Sequence, residues 1–206
     1  MNETREKLLD EAEFLFGENG YAATSLRQII AKAEVNLASI HYHFGSKQEL
    51  LEQVILRKIG PINEKRVELL DHFAAEAAPD PASIEKIIEA FILPAIMIDR
   101  DRRFLKFMAR IHVEGLIPDI AQRHFQPMIT RFASAFQRTC PNATKEELAW
   151  KIHFMIGAMA FTLLYPPESR QDLAQASQEM IARRLIAFIS WGFRAPETVG
   201  KEVEVS

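Results

Sequence analysis

Thr24-Ser25-Leu26-Arg27-Gln28-Ile29-Ile30-Ala31-Lys32-Ala33-Glu34-Val35-Asn36-Leu37-Ala38-Ser39-Ile40-His41-Tyr42-His43-Phe44-Gly45-Ser46-Lys47 reads as two short helices joined by a tight turn. Ser25 followed by Gln28 forms a capping box, in which each side chain satisfies a backbone N–H that the first helical turn leaves open. The helix so opened carries Leu26, Ile29, Ile30 and Ala33 and breaks at Glu34-Val35-Asn36. Asn36 can accept backbone N–H bonds and start a second helix. That helix runs to Phe44, where Gly45 stops it, because glycine tolerates the left-handed conformation that ends helices.

Helical spacing continues on both sides. Upstream, Leu8, Ala12, Leu15 and Phe16 stripe a first helix that ends at Asn19-Gly20. Downstream, Ser46 and Glu49 signal a fourth helix through Leu50, Leu51, Val54 and Ile55. Gly60-Pro61 is its expected kink, since proline removes a donor and crowds the preceding turn. The pattern resumes through Val67, Leu70 and Phe73. It then predicts helices over 84–98, with a bend at Pro94, and 104–114, a long run to Thr139 interrupted at Pro127, and helices 145–164 and 172–193. The fold class expected is all-α. The domain division reads 1–50 for a helix-turn-helix head, 51–195 for a helical body and 196–206 for a frayed tail.

The composition suits one or two compact domains: 206 residues, 48% hydrophobic and 26% charged. The longest apolar run, Phe154 to Tyr165, falls short of the roughly 20 residues a membrane span needs. Nothing near the start resembles a signal peptide, and the expected setting is the cytoplasm. Cys140 is the one cysteine, so no internal disulfide is possible. The formal net charge of −3 does not announce a nucleic-acid binder. Charge is unevenly spread, however. Glu3, Glu6, Asp10, Glu11, Glu13 and Glu18 outnumber Arg5 and Lys7 in the first helix, while cations exceed anions over 21–66.

The layout from Ser25 to Lys47 is that of a helix-turn-helix, whose second helix enters a major groove. Its wording, above all Tyr42-His43-Phe44-Gly45-Ser46-Lys47 followed by Glu49-Leu50-Leu51, resembles the TetR family of bacterial transcriptional regulators over about residues 5–58. The resemblance implies that Leu37, Ala38, Ser39 and His41 face base edges. It implies that Tyr42, His43, Lys47, Thr24 and Ser25 hold the phosphate backbone, with Arg27 reaching either. Phosphate contacts fix register and supply salt-dependent affinity, whereas base contacts specify. Ile40 and Phe44 belong to the head's own core. Glu34 stands where the family's turn commonly has glycine. A non-glycine residue at positive φ costs about 1 kcal/mol, and its carboxylate would lie near an anionic partner. With only Arg5 and Lys7 before Arg27, a minor-groove arm is poorly supported.

The run from Leu148 to Thr162 resembles a recurrent C-terminal subgroup that includes repressors released by long-chain fatty acids or their CoA esters. The family resemblance implies a homodimer formed by the last two helices and a small-molecule effector. Gly157, Ala158 and Ala160 are small enough for close helix approach, and with Phe161, Leu185, Phe188 and Ile189 they are the candidate dimer interface. Phe91, Met97, Phe104, Phe107, Met108, Ile111, Phe125, Met128, Phe132 and Phe136, with Met155 and Met159 opposite, are the candidate effector pocket. Methionine and phenylalanine suit a deformable apolar cavity, and the same residues suit a packed core. Arg100, Arg102, Arg103, Lys106 and Arg110 fit either an acidic ligand group or a solvated face.

His112, Glu114, His124 and His153 lack the tight spacing of a metal site, and neither a metal nor a cofactor is expected. No nucleophile elbow, phosphate loop or catalytic triad is evident, so an enzyme is not expected. The reading is a TetR-type repressor that binds a palindromic DNA operator as a homodimer under control of a small apolar effector. An activator or a partner-dependent adaptor would use the same fold.

Overall fold

The computed structural model describes residues 2–36, 40, 42–98 and 103–195. Among the described residues every regular element is helical. Helix α1, Asn2–Asn19, buries Leu8, Leu9, Ala12 and Phe16 and ends at Gly20, whose φ of 86° is the left-handed value its missing Cβ permits. Helix α2, Leu26–Ala33, opens with both halves of the expected capping box between Ser25 and Gln28. It closes at Glu34 in the left-handed region (φ 55°, ψ 40°), its N–H bonded to Ile30 O. The turn therefore does place a non-glycine residue at positive φ. Ile40, Tyr42 and His43 are helical, and Ile40 and Phe44 are buried in the head as expected.

Helix α3, Lys47–Ala77, starts where Ser46 Oγ accepts the Glu49 N–H. It runs unbroken through Gly60-Pro61, where the sequence predicted a kink. Its buried stripe explains the persistence: Ile55, Ile59, Ile62, Arg66, Leu70 and Phe73 face inward on both sides of Pro61, so tertiary packing outweighs one lost donor. The proposed division at residue 50 falls inside this helix, which serves head and body together.

Helix α4, Ile84–Ile98, has the bounds read from the sequence and is apolar nearly all round. Such a helix must be covered on several sides, and α4 lies between α3 and α9. Helix α5, Arg103–Val113, packs against both α1 and α8. The long run expected to Thr139 is two helices, α6 (Ile117–His124) and α7 (Gln126–Thr139). The break is at Phe125, not Pro127. Pro127 sits in the first turn of α7, where an N–H would have no helical partner anyway.

Helix α8 spans Lys145–Leu164, as expected, behind a Thr144–Glu147 capping box. Two short 3-10 turns, Pro167–Ser169 and Gln171–Leu173, follow. Helix α9, Gln178–Arg194, begins later than the sequence reading because Ser177 accepts the Met180 N–H and sets its start. The expected tail, 196–206, lies outside the described residues. No described helix is long and apolar enough to cross a membrane.

Candidate functional site

The expected DNA-reading residues Leu37, Ala38, Ser39 and His41 lie outside the described residues. Around them the head presents Ser25 and Arg27, both exposed, at the start of α2. Tyr42 is 72% exposed and meets the half-buried His43 edge-on, ring centroids 5.0 Å apart. An aromatic this exposed, beside helical turns, is not held there by burial.

Two residues assigned to phosphate contacts are employed inside the head. Thr24 is only 1% exposed; its hydroxyl donates to Gly20 O at 2.8 Å and lies 3.1 Å from Leu15 O. Its side chain ties the end of α1 to the start of α2 and is not available to a phosphate. Lys47 donates from Nζ to Tyr21 O at 2.5 Å and stands 4.2 Å from the Tyr21 ring centroid. Burial pushes its pKa down. Arg5 is also absorbed, donating to Gln53 Oε1 at 2.9 Å with its guanidinium 5.5 Å from the Phe44 ring. That leaves little cation for a minor-groove arm.

A cavity of about 240 Å³ lies in the body between α3, α4, α5, α6, α7 and α8. Of the expected pocket residues, Phe91, Met108, Phe125, Met128, Phe132, Phe136, Met155 and Met159 line it. Phe107 and Ile111 do not. They are fully packed on the face of α5 away from the cavity, Phe107 against Gly17 of α1. Met97 is half exposed and also outside the lining. The side chain of Phe104 and residues Arg100 and Arg102 lie outside what the structure describes.

The lining includes three polar residues that the sequence reading passed over as pocket members: Asn63, Arg66 and His112. Arg66 is 6% exposed, and burial lowers its pKa to about 10. Burial, with a smaller contribution from His153, pushes His112 down as well, so its imidazole is neutral at neutral pH. Among the lining residues none is acidic.

Arg110 lies on α5 but not at the cavity. It donates to Glu18 O at 3.0 Å and to Gly17 O at 3.5 Å, both in the last turn of α1, and pairs with Glu114 at 3.6 Å. It is thus a cation on a helix C-terminus, and it fastens the body to the head. Among the described residues no cluster of metal-binding side chains occurs.

The outer face of α8 and α9 is unusually apolar. Trp150, Phe154 and Phe161 on α8, Tyr165 just past its end, and Phe188 and Trp191 on α9 are all more than half exposed. Gly157 and Gly192 lie among them with open space where a Cβ would stand. Within the candidate dimer interface this retains Gly157 and Phe188, and Phe161 at 65% exposure, with Ala158 half-buried. It removes three residues. Ala160, Leu185 and Ile189 are buried in the chain's own core, Ala160 at the cavity wall.

The family described as "Bacterial regulatory proteins, tetR family" matches residues 8–54, and "Tetracyclin repressor-like, C-terminal domain" matches residues 89–192. The chain belongs to the TetR family, with that family's helix-turn-helix at its N-terminus. It is 31% identical over 103 residues to HTH-type transcriptional regulator AcrR of Shigella flexneri, covering 50% of this chain and 46% of that one. It is 39% identical over 51 residues to the biofilm operon icaADBC HTH-type negative transcriptional regulator IcaR of Staphylococcus aureus (strain Newman), 25% of this chain and 27% of that one. The chain thus covers less than half the length of these curated relatives. A TetR-family transcriptional regulator from Bordetella parapertussis 12822 shares the fold with a TM-score of 0.63 at 16% identity, over 90% of this chain and 93% of that one.

Proposed function

We propose that the protein is a homodimeric repressor. Its heads, residues 1–50, read a palindromic DNA operator, and its bodies, residues 51–195, pair through α8 and α9 and take a small apolar effector. It would act in the cytoplasm. The observation that carries this reading is the outward aromatic face of α8 and α9. An exposed apolar patch of this kind marks an interaction surface, and a second copy with the same face makes a four-helix contact. Repression is supported by the word "negative" in the name of IcaR, which is 39% identical over 51 residues of this chain.

Two heads must stand about 34 Å apart, or a further helical turn, to reach successive major grooves. An effector therefore need not touch DNA. It needs only to bind the wrongly spaced dimer better, and operator affinity falls by that difference. Helix α5 supports such coupling, since Met108 and His112 face the cavity while Arg110 holds the end of α1. The cavity as it stands is too small for a whole coenzyme A ester, which favours a compact effector.

The test joins light scattering to selection of genomic fragments at moderate salt. The expected result is a dimer that enriches one palindrome, with Phe188→Asp giving monomers and at least about 100-fold weaker operator binding, the avidity lost with the second head. A folded, dimeric protein that enriches no sequence would overturn the repressor reading.

A further inference from the structure

Arg66 sits in the wall of the cavity with its charge unanswered. A guanidinium has five N–H donors and no acceptor. Here Nε donates to Phe91 O at 2.7 Å, and Nη1 donates to Asn63 Oδ1 at 3.1 Å. The guanidinium carbon lies 4.0 Å from the Phe91 ring centroid. Both hydrogen-bond acceptors are neutral, and among the described residues no carboxylate pairs with Arg66. The Nη2 end has no hydrogen-bond partner there either. A charge taken out of water and left unpaired is costly, so buried arginines are ordinarily matched by an anion.

Everything else in the wall rejects charge. The lining is Phe, Met, Ile, Leu and Ala apart from Asn63 and His112, and His112 is held neutral by its burial. The chamber is therefore an apolar volume with one positive end. We infer that the effector is an amphipathic monocarboxylate, whose carboxylate pairs with Arg66 and whose apolar body fills the space toward Met128, Met155 and Met159. This inference rests on the reading of the cavity as the effector site.

The chemistry is specific. Arginine and carboxylate match as planar forks, and such charge-assisted pairs are about twice as strong as neutral hydrogen bonds. Asn63 fixes Nη1 and the Phe91 carbonyl fixes Nε, so the guanidinium is oriented before the ligand arrives. The cavity, about 240 Å³, has room for a compact carboxylate with an apolar tail.

The experiment is calorimetric titration of the full chain with octanoate and with octanamide, which share size and tail but differ in charge. Octanoate is expected to bind about 30-fold more tightly, the range of a charge-assisted pair over a neutral one. Arg66→Gln, checked for helix content by circular dichroism, should bind octanamide like the parent and lose the preference for octanoate. The comparison on the unmodified protein needs no variant to fold. Equal binding of the two ligands would overturn the anionic inference and leave an apolar effector site standing. Failure of both to bind at millimolar concentration would overturn the site itself.

Discussion

Arg57 and Arg66 stand on the same helix, α3, and meet opposite surroundings. Arg57 faces α1, where Nη1 bonds Asp10 at 2.7 Å and Glu6 at 3.1 Å and Nη2 bonds Glu13 at 2.8 Å. Burial works against its charge, but the hydrogen bonds to Asp10, Glu13 and Glu6 together outweigh it and raise its pKa. Arg66 faces the cavity, where burial meets no carboxylate and the pKa falls. One arginine is closed by the chain and docks the head onto the body. The other is met by no anion among the described residues and stands in the wall of the cavity. The same side chain thus separates a structural cluster from a candidate binding group by what answers its charge.

That contrast breaks most readily at the level of stability. Arg57→Ala should cost about 2 kcal/mol, because it leaves Glu6, Asp10 and Glu13 facing one another without their cation. Arg66→Met should cost no more than about 1 kcal/mol. It removes an unpaired buried charge and fills the site with an apolar chain, taking one donor each from the Phe91 carbonyl and Asn63 Oδ1. Urea unfolding of both variants at one fixed protein concentration checks the pair. Equal losses would mean that Arg66 is as structural as Arg57, and its role toward a ligand would lose its basis.

The head was legible because its signals are local: the Ser25–Gln28 box, Ser46, and the glycines 20 and 45 each fix a helix end within a few residues. Thr24 is less legible, since its burial and the approach of Leu15 O come from folding, although its nearer acceptor, Gly20 O, is only four residues away. Arg66 hides in the polar run Asn63-Glu64-Lys65-Arg66. The signal that finds it is phase, because the apolar stripe through Ile59, Ile62, Leu70 and Phe73 passes through position 66. The proposed dimer face is harder to read. Helix α8 carries apolar residues on both sides, so periodicity alone cannot say which stripe meets the chain's own core. In α9 the sequence reading mixed Leu185 and Ile189, which face inward, with Phe188, which faces out.

Helix α5 packs against both α1 and α8, and its Arg110 is the means of asking whether cavity and head communicate. Arg110→Ala removes the bonds to Gly17 O and Glu18 O without touching the cavity wall. The variant should bind effector and operator nearly as the parent does, while the effector's influence on operator affinity falls about 10-fold, within the usual range of coupling between sites. Operator titrations with and without saturating effector read this directly. Unchanged coupling would place transmission elsewhere, with the unbroken α3 the next element to vary.

The smallest expected effect lies wholly in the head. Glu34 holds φ 55°, a conformation that costs a residue with a Cβ about 1 kcal/mol and glycine far less. Part of that gain returns as the greater freedom of glycine in the unfolded chain, so Glu34→Gly should stabilise by about 0.5 kcal/mol. Removing the carboxylate should also strengthen binding to every DNA sequence alike, because the loss of one repelling charge carries no base information. Effector affinity should not move, since Glu34 is no part of the cavity wall. A change in effector affinity on Glu34→Gly would show that the head's turn and the chamber around Arg66 are not separable, and the contrast drawn along α3 would have to be replaced by a single cooperative unit.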